Sequence, residues 1–132
     1  LPEEVARAVL GVIREVVDEG TARRAKGAFV GADGNELPVG GKTGTGDHRF
    51  DVDGAGGQLL ESRVVNRSAT FVFNVGERYF GSITAYVHGP QAANYDFTSA
   101  LPVQLLKLLA PSLMPLMEPR PDVTASTQRC AG

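Results

Sequence analysis

The sequence predicts an α+β fold in which helices cover an antiparallel sheet. Two segments, residues 69–75 and 79–87, alternate apolar and other residues with the period of a strand. Helical spacing of apolar residues appears before them, over residues 2–19, and again after residue 99. The order helix, strand, hairpin, helix is typical of a sheet with helices packed on it. The chain of 132 residues has the length of one ordinary domain.

The composition excludes several classes of protein. Thirteen Lys and Arg against 15 Asp and Glu give a net charge of −2, and no basic stripe is present, so we expect no nucleic-acid partner. No apolar run approaches about 20 residues, so we expect no membrane contact by this segment. A single cysteine, Cys130, excludes an internal disulfide and a multi-cysteine zinc site.

The first helix is predicted over residues 2–19. Pro2 suits the first position of a helix, and Glu3 and Glu4 complement the positive end of the helix dipole. Gly20 is predicted to end the helix in a left-handed conformation. The residues predicted to form the buried face are Val5, Val9, Val12, Ile13 and Val16.

The segment between the first helix and the hairpin is rich in glycine. Residues 28–30 are predicted to form a short strand, 32–35 a turn, and 37–46 a strand whose far end lacks bulky side chains. Residues 47–67 are predicted to form a long loop with three glycines at its centre.

A hairpin is predicted next, with its turn at residues 75–78. Its first strand places Ala69, Phe71, Phe73 and Val75 on one face, and its second places Tyr79, Gly81, Ile83, Ala85 and Val87 on one face. Because Val72, Phe80 and Tyr86 occupy the opposite faces, both sides of the sheet are expected to be partly covered.

The second helix is predicted to begin at Ser99 as its cap and to end at Pro111. Its apolar stripe is predicted to consist of Leu101, Leu105, Leu108 and Leu109. These elements place the folded part at residues 1–113 and a flexible tail at 114–132.

The run from residue 40 to residue 46 is the strongest local motif. A P-loop would need glycine at Glu36, and a dinucleotide-binding fingerprint would need glycine at Arg49, so neither nucleotide site fits. A calcium loop at Asp51-Val52-Asp53 would need an acid at Leu60. The two histidines, His48 and His88, lack metal-ligand spacing. We therefore expect no metal and no cofactor, and we interpret Arg63, Arg67 and Arg78 as solvated charges.

Lys42-Thr43-Gly44-Thr45 lies on a predicted strand, after the Gly20-Thr21-Ala22 turn and before the strand that starts at Ser68. With these flanks, residues 3–113 resemble the C-terminal part of the penicillin-binding transpeptidase domain. The resemblance is to the bifunctional type, which joins a peptidoglycan glycosyltransferase to the transpeptidase. It implies a partial penicillin-binding, serine β-lactamase-like fold.

The resemblance also implies roles for four residues. Lys42 would supply positive charge and assist proton transfer, and the hydroxyls of Thr43 and Thr45 would meet the carboxylate of the substrate. The backbone N–H of Thr45 would form half of an oxyanion hole, a type of donor worth about 3–4 kcal/mol of transition-state stabilisation. Gly44 would keep the approach free of side-chain bulk.

The catalytic serine of that family is missing. Its nucleophile lies in Ser-x-x-Lys and its second motif is Ser-x-Asn. None of the six serines here has Lys three residues later or Asn two residues later. The resemblance therefore implies the C-terminal part of a D,D-transpeptidase domain, which by itself would be inactive.

The resemblance implies a peptidoglycan stem peptide and β-lactams as ligands of the parent protein. It also implies a location outside the bacterial cytoplasmic membrane, tethered by a segment absent here. Apolar surface left bare in a partial domain would favour self-association. Two alternatives stay open: a non-catalytic α+β module that binds a carboxylate or another anion, and a β-lactamase.

Overall fold

The computed structural model describes residues 2–117. It contains two α-helices, three strands and two short 3-10 turns. In chain order these are α1 (Glu3–Asp18), a 3-10 turn (Arg23–Ala25), β1 (Val39–Asp53), β2 (Leu59–Val75), β3 (Tyr79–His88), a 3-10 turn (Ala92–Asn94) and α2 (Ala100–Met117). The strands form one antiparallel sheet in the order β1-β2-β3. The α+β class and the antiparallel hairpin are confirmed.

The core lies on one face of the sheet, which we call the inner face and define by Phe71, Val75 and Ile83. The alternation in the two hairpin strands is confirmed, because Ala69, Phe71 and Val75 are buried. Side chains from α1, α2 and the segment between α1 and β1 complete this core: Val17, Ala22, Ala25, Phe29, Val103, Leu106, Ala110 and Met114.

The other face of the sheet, the outer face, is open. We define it by Val72, Phe80 and Tyr86, which are 55%, 88% and 59% exposed. The expectation that both sides of the sheet are partly covered is therefore wrong at these three positions. Alternation shows only that two faces differ along a strand, and it cannot show whether another element lies over the second face.

Helix α1 is confirmed, but its predicted buried face is not. Val5, Val9 and Val12 are exposed, whereas Ile13 and Val16 are half-buried. Val17, which lies outside the predicted face, is buried in the core. A helical stripe of apolar residues predicts a contact surface without saying what part of the chain fills it. Over the first turns of α1, none of residues 2–117 covers this stripe, because Val5, Val9 and Val12 are exposed.

Gly20 is required for a different reason from the one predicted. Its φ is not in the left-handed region. The described glycines that do have a left-handed φ are Gly27, Gly34, Gly56, Gly57, Gly76 and Gly89. A Cβ on Gly20 would lie 2.8 Å from the carbonyl oxygen of Val16, so the chain turns here by passing close to the helix backbone. The turn then brings Ala22 and Ala25 into the core.

The predicted short strand at residues 28–30 is reduced to one isolated bridge, between Val30 and Glu36. Its middle residue, Phe29, is fully buried. The turn predicted at 32–35 is present, and Asp33 accepts a hydrogen bond from the Asn35 N–H at 3.0 Å. That hydrogen bond lowers the pKa of the Asp33 carboxyl.

Residues 47–67 do not form a loop. Strand β1 continues to Asp53 and β2 begins at Leu59, so most of the segment is a second hairpin with a turn at residues 54–58. Gly56 and Gly57 make the turn with φ of +96° and +75°. The register shifts between His48 and Arg49 and again before Asp53. Each shift changes which face the following residues occupy, so the sequence shows no continuous alternation.

Helix α2 turns a different face to the core from the one predicted. Pro102, Val103, Leu106, Ala110 and Met114 are buried, whereas the predicted stripe of Leu101, Leu105, Leu108 and Leu109 is exposed. Both sets have helical spacing because the helix is apolar on almost every side, so periodicity could not choose between them.

The predicted end of α2 at Pro111 is also wrong, because the helix continues to Met117. An internal proline costs about 3 kcal/mol. Here the turns around it are held by tertiary packing, since Ala110 and Met114 are buried and Leu113 and Met117 pack against the core. Residues 114–117 therefore belong to the fold, and the rest of the predicted tail, 118–132, lies outside the described residues.

Helix α2 has the length and composition of a membrane span, with 18 residues and a mean hydropathy of 1.4. A helix that forms part of a protein core satisfies the same two criteria. In α2, 28% of the residues are buried, among them Val103 and Leu106, which pack in the core.

Two phenylalanines allow a matched test of which face is the core. Phe71→Ala should lower the free energy of unfolding by about 3–5 kcal/mol because the ring is fully buried. Phe80→Ala should change it by less than about 0.5 kcal/mol because that ring is 88% exposed. Urea unfolding followed by circular dichroism measures both, and equal losses would contradict the assignment of the inner face.

Candidate functional site

Strand β1 is an edge strand within residues 2–117, because it pairs only with β2. Ser68 lies opposite Gly46, and its hydroxyl donates a hydrogen bond to the Gly46 carbonyl at 3.3 Å. The Gly46 carbonyl therefore points toward β2. Backbone groups of successive strand residues point to opposite edges, and the register is regular from Val39 to His48. The N–H and C=O groups of Thr43 and Thr45 consequently face the free edge.

Lys42 lies on the outer face, opposite Val72, and is exposed. Its ammonium donates a hydrogen bond to the Thr43 carbonyl at 2.6 Å, so the charge sits beside the free edge. It forms no ion pair with a carboxylate of the described residues. An unpaired ammonium next to open backbone donors can bind a carboxylate.

Thr43 points to the inner face and is only 9% exposed. Its Oγ1 lies 2.8 Å from Oγ1 of Thr21, within hydrogen-bonding distance. This hydrogen bond joins the turn after α1 to the middle of β1. The resemblance assigned this hydroxyl to the substrate carboxylate, but in this structure it is engaged within the fold.

Thr45 also points to the inner face, but it is exposed. Its Oγ1 accepts a hydrogen bond from the Ser99 N–H at 2.9 Å, at the start of α2. A threonine hydroxyl can donate one hydrogen bond while it accepts another, so the Thr45 O–H remains available to a ligand. The predicted cap of α2 is the side chain of Ser99, but Ser99 contributes its backbone N–H to Thr45. At the start of α2, the Oγ1 of Thr98 accepts a hydrogen bond from the Ala100 N–H.

The ammonium and the two threonine hydroxyls do not share one face. Because β1 has no bulge between residues 42 and 45, Lys42 and Gly44 lie on the outer face and Thr43 and Thr45 on the inner face. The regular strand therefore separates the ammonium of Lys42 from the hydroxyls of Thr43 and Thr45. The groups meet only along the free edge, where an extended ligand would run parallel to β1.

The glycines of the motif differ in what the fold requires of them. A Cβ on Gly41 would lie 2.5 Å from both the Val72 carbonyl oxygen and Cε2 of Phe71, so packing excludes a side chain there. A Cβ on Gly44 would meet nothing within 4 Å. The space above Gly44 is open, and packing among residues 2–117 does not demand a glycine at this position.

Arg67 is a residue whose role the sequence did not reveal. The interpretation of Arg67 as a solvated charge is wrong. Its side chain is only 20% exposed and forms ion pairs at 3.1 Å with Asp47 and with Asp96. It also donates a hydrogen bond to the Tyr95 carbonyl. Arg67 thereby ties β1, just beyond Thr45, to the segment that leads into α2. No local pattern signals these pairs, because the partners lie 20 and 29 residues away.

Within residues 2–117, no three His, Cys, Asp or Glu side chains come together as metal ligands. No protein-family model matches the chain, and no curated protein matches its sequence. The chemical capacity of the site therefore rests on its geometry. It offers outward N–H groups at Thr43 and Thr45, one ammonium group and open space above Gly44.

Alanine substitutions separate glycines needed by the fold from those free for function. Gly41→Ala should lower the free energy of unfolding by about 1–3 kcal/mol because its Cβ would overlap Val72 and Phe71. Gly44→Ala should leave it unchanged or raise it by up to about 1 kcal/mol, since glycine weakens a strand. Guanidinium unfolding of both variants provides the measurement. A large loss in Gly44→Ala would show that the fold itself requires this glycine.

Proposed function

We propose that the chain is the C-terminal part of a peptidoglycan D,D-transpeptidase domain. It carries the Lys-Thr-Gly strand of that site and lacks the serine nucleophile. The observation that carries this proposal is the free edge of β1, where the N–H of Thr45 points outward and the Lys42 ammonium lies beside the edge. The α+β fold is compatible with a partial penicillin-binding, serine β-lactamase-like domain.

In the complete domain, the oxygen of a serine supplied by the missing part would attack the penultimate D-Ala carbonyl of a stem peptide. The bond to the terminal D-Ala nitrogen would then break, and that D-Ala would leave as a protonated amine. An amine on a neighbouring peptide would attack the resulting ester, and the serine would regain its proton. The negative oxygen formed in both steps would accept a hydrogen bond from the Thr45 N–H.

The same edge would hold the substrate before the reaction. The terminal carboxylate of the stem peptide would accept a hydrogen bond from the Thr45 hydroxyl, which can donate while it accepts the Ser99 N–H. The Lys42 ammonium would add positive charge at the same edge from the other face of the strand. The open space above Gly44 would admit the peptide backbone. A β-lactam places a carboxylate and a reactive carbonyl in the same relation, so it would bind as a substrate mimic.

This proposal places the parent protein outside the bacterial cytoplasmic membrane, tethered by a segment absent here and joined to a peptidoglycan glycosyltransferase. It also accounts for the exposed apolar residues. Val5, Val9 and Val12 of α1 and Phe80 of the outer face would be covered by the other part of the domain. In the 132-residue chain alone, the same surface favours self-association.

A second function is a non-catalytic module that binds a carboxylate or another anion. The observation in its favour is the exposed Lys42 ammonium, which has no acidic partner among residues 2–117. Such a module would bind acetate as well as it binds an acyl-D-Ala-D-Ala peptide. The transpeptidase would prefer the peptide, because the backbone groups of Thr43 and Thr45 add contacts along the edge.

The 132-residue chain should not be labelled covalently by a fluorescent penicillin, because it has no Ser-x-x-Lys motif. The measurement is in-gel fluorescence after denaturation, with a complete penicillin-binding protein as the positive control. Stoichiometric labelling would mean that one of the six serines acts as a nucleophile, which would contradict the proposed division of the site.

Lys42→Ala should slow acylation by about 10²–10³-fold in a polypeptide that extends this chain upstream through Ser-x-x-Lys and Ser-x-Asn motifs. The physical reason is the loss of the positive charge at the edge that holds the substrate and of the group that assists proton transfer. Lys107→Ala on α2 is the matched control and should acylate at the normal rate. If a folded Lys42→Ala protein acylates normally, the assigned role of Lys42 is wrong and the anion-binding module is favoured.

A further inference from the structure

We infer that a second cavity, separate from the Lys42–Thr45 edge, binds a small anionic ligand with an apolar body. The cavity has a volume of about 690 Å³ and lies near the far end of the β1–β2 ladder, beside the turn that follows β3. Its polar lining comes from Arg49, Ser62, Arg63 and His88. The inference goes beyond the transpeptidase proposal and does not depend on it.

A bulge in β2 builds one side of this site. His48 pairs with Asn66, but the next residue, Arg49, pairs with Val64, so Val65 is the extra residue of β2. Arg49 therefore lies opposite the bulged pair Val64 and Val65.

The end of β3 builds the opposite side. His88 pairs with Asn66 at the last position of the β2–β3 ladder, next to the bulge. Directly after it, Gly89 has a φ of +91°, and its N–H donates to the Val65 carbonyl at 2.9 Å. The chain turns sharply there and brings Pro90 to the wall of the cavity.

The charge of the lining is positive and uncompensated. None of the nine lining residues is acidic. Arg49 and Arg63 form no ion pair with a carboxylate of residues 2–117, whereas Arg67 on the same hairpin has two. Asp51 shares the face of Arg49 and lies opposite Ser62, but it is not in ion-pair contact with either arginine. Arg49 and Arg63 belong to adjacent pairs of the ladder, so they line the cavity from opposite faces of the hairpin. In a chain of net charge −2, a cavity lined by two unpaired arginines attracts an anion.

The remaining lining restricts the body of the ligand. Val64, Val65, Pro90 and Ala93 give the cavity apolar walls. The guanidinium of Arg63 lies 5.3 Å from the centre of the ring of Phe50, its partner across the ladder. A cavity of this size accommodates a small molecule rather than a single ion. Its chemistry fits a carboxylate or phosphate attached to an apolar group.

The first test titrates the ¹⁵N-labelled chain with hexyl phosphate, hexanoate and hexanol. The amide resonances of Val65, His88 and Gly89 should shift in a saturable way with an anionic probe and not with hexanol. Binding of hexyl phosphate but not hexanoate identifies a phosphate ligand, and the reverse identifies a carboxylate. Equal shifts with hexanol, or no shift with either anion, would overturn the inference.

The second test changes the charge. Arg49→Gln combined with Arg63→Gln should weaken binding of the anionic probe at least tenfold. The matched control, Arg24→Gln with Arg78→Gln, removes two exposed arginines elsewhere and should change the affinity less than twofold. Equal weakening in both double variants would show a non-specific charge effect and overturn the inference. If the first double variant fails to fold, Arg49→Gln alone, checked by an unchanged spectrum away from the cavity, provides the same comparison.

Discussion

The antiparallel ladder between β1 and β2 is the interaction on which the rest of the structure depends. It runs from the pair Val39–Val75 to the pair Asp53–Leu59. Through it, Phe71 and Val75 reach the core, the free edge of Thr43 and Thr45 is held straight, and Arg49 lies opposite the bulge of β2. Each of these features is a matter of register, and a slip of one residue would exchange the inner and outer faces.

Part of this fold follows directly from the sequence. The hairpin between β2 and β3 is visible because its two strands alternate without interruption and Gly76 allows the turn between them, with φ of +60°. The first helix is visible for a similar reason. In both cases the signal is local, since residues within one turn or one strand determine the pattern.

The parts that the sequence did not predict correctly depend on contacts that are distant or degenerate. Helix α2 is apolar on several sides, so only packing against the sheet selects Val103 and Leu106 over Leu105 and Leu108. The long β1–β2 hairpin is hidden by its bulges. At the candidate site, the motif located Lys42 and Thr45, but the partners of the threonine hydroxyls, Thr21 and Ser99, lie 22 and 54 residues from them. No short pattern can encode such pairs.

The two free edges of the sheet differ in chemistry. The edge at β1 carries Lys42, Asp47 and Arg49 among its residues, whereas β3 contains no Lys, Arg, Asp or Glu over its ten residues. Charged side chains at an edge discourage another strand from adding to the sheet, and proline or a bulge has the same effect. Strand β3 contains no charged residue and no proline, and its regular pairing with β2 shows no bulge. Among residues 2–117, the edge at β1 therefore carries charges that oppose the addition of a further strand, and the edge at β3 carries none.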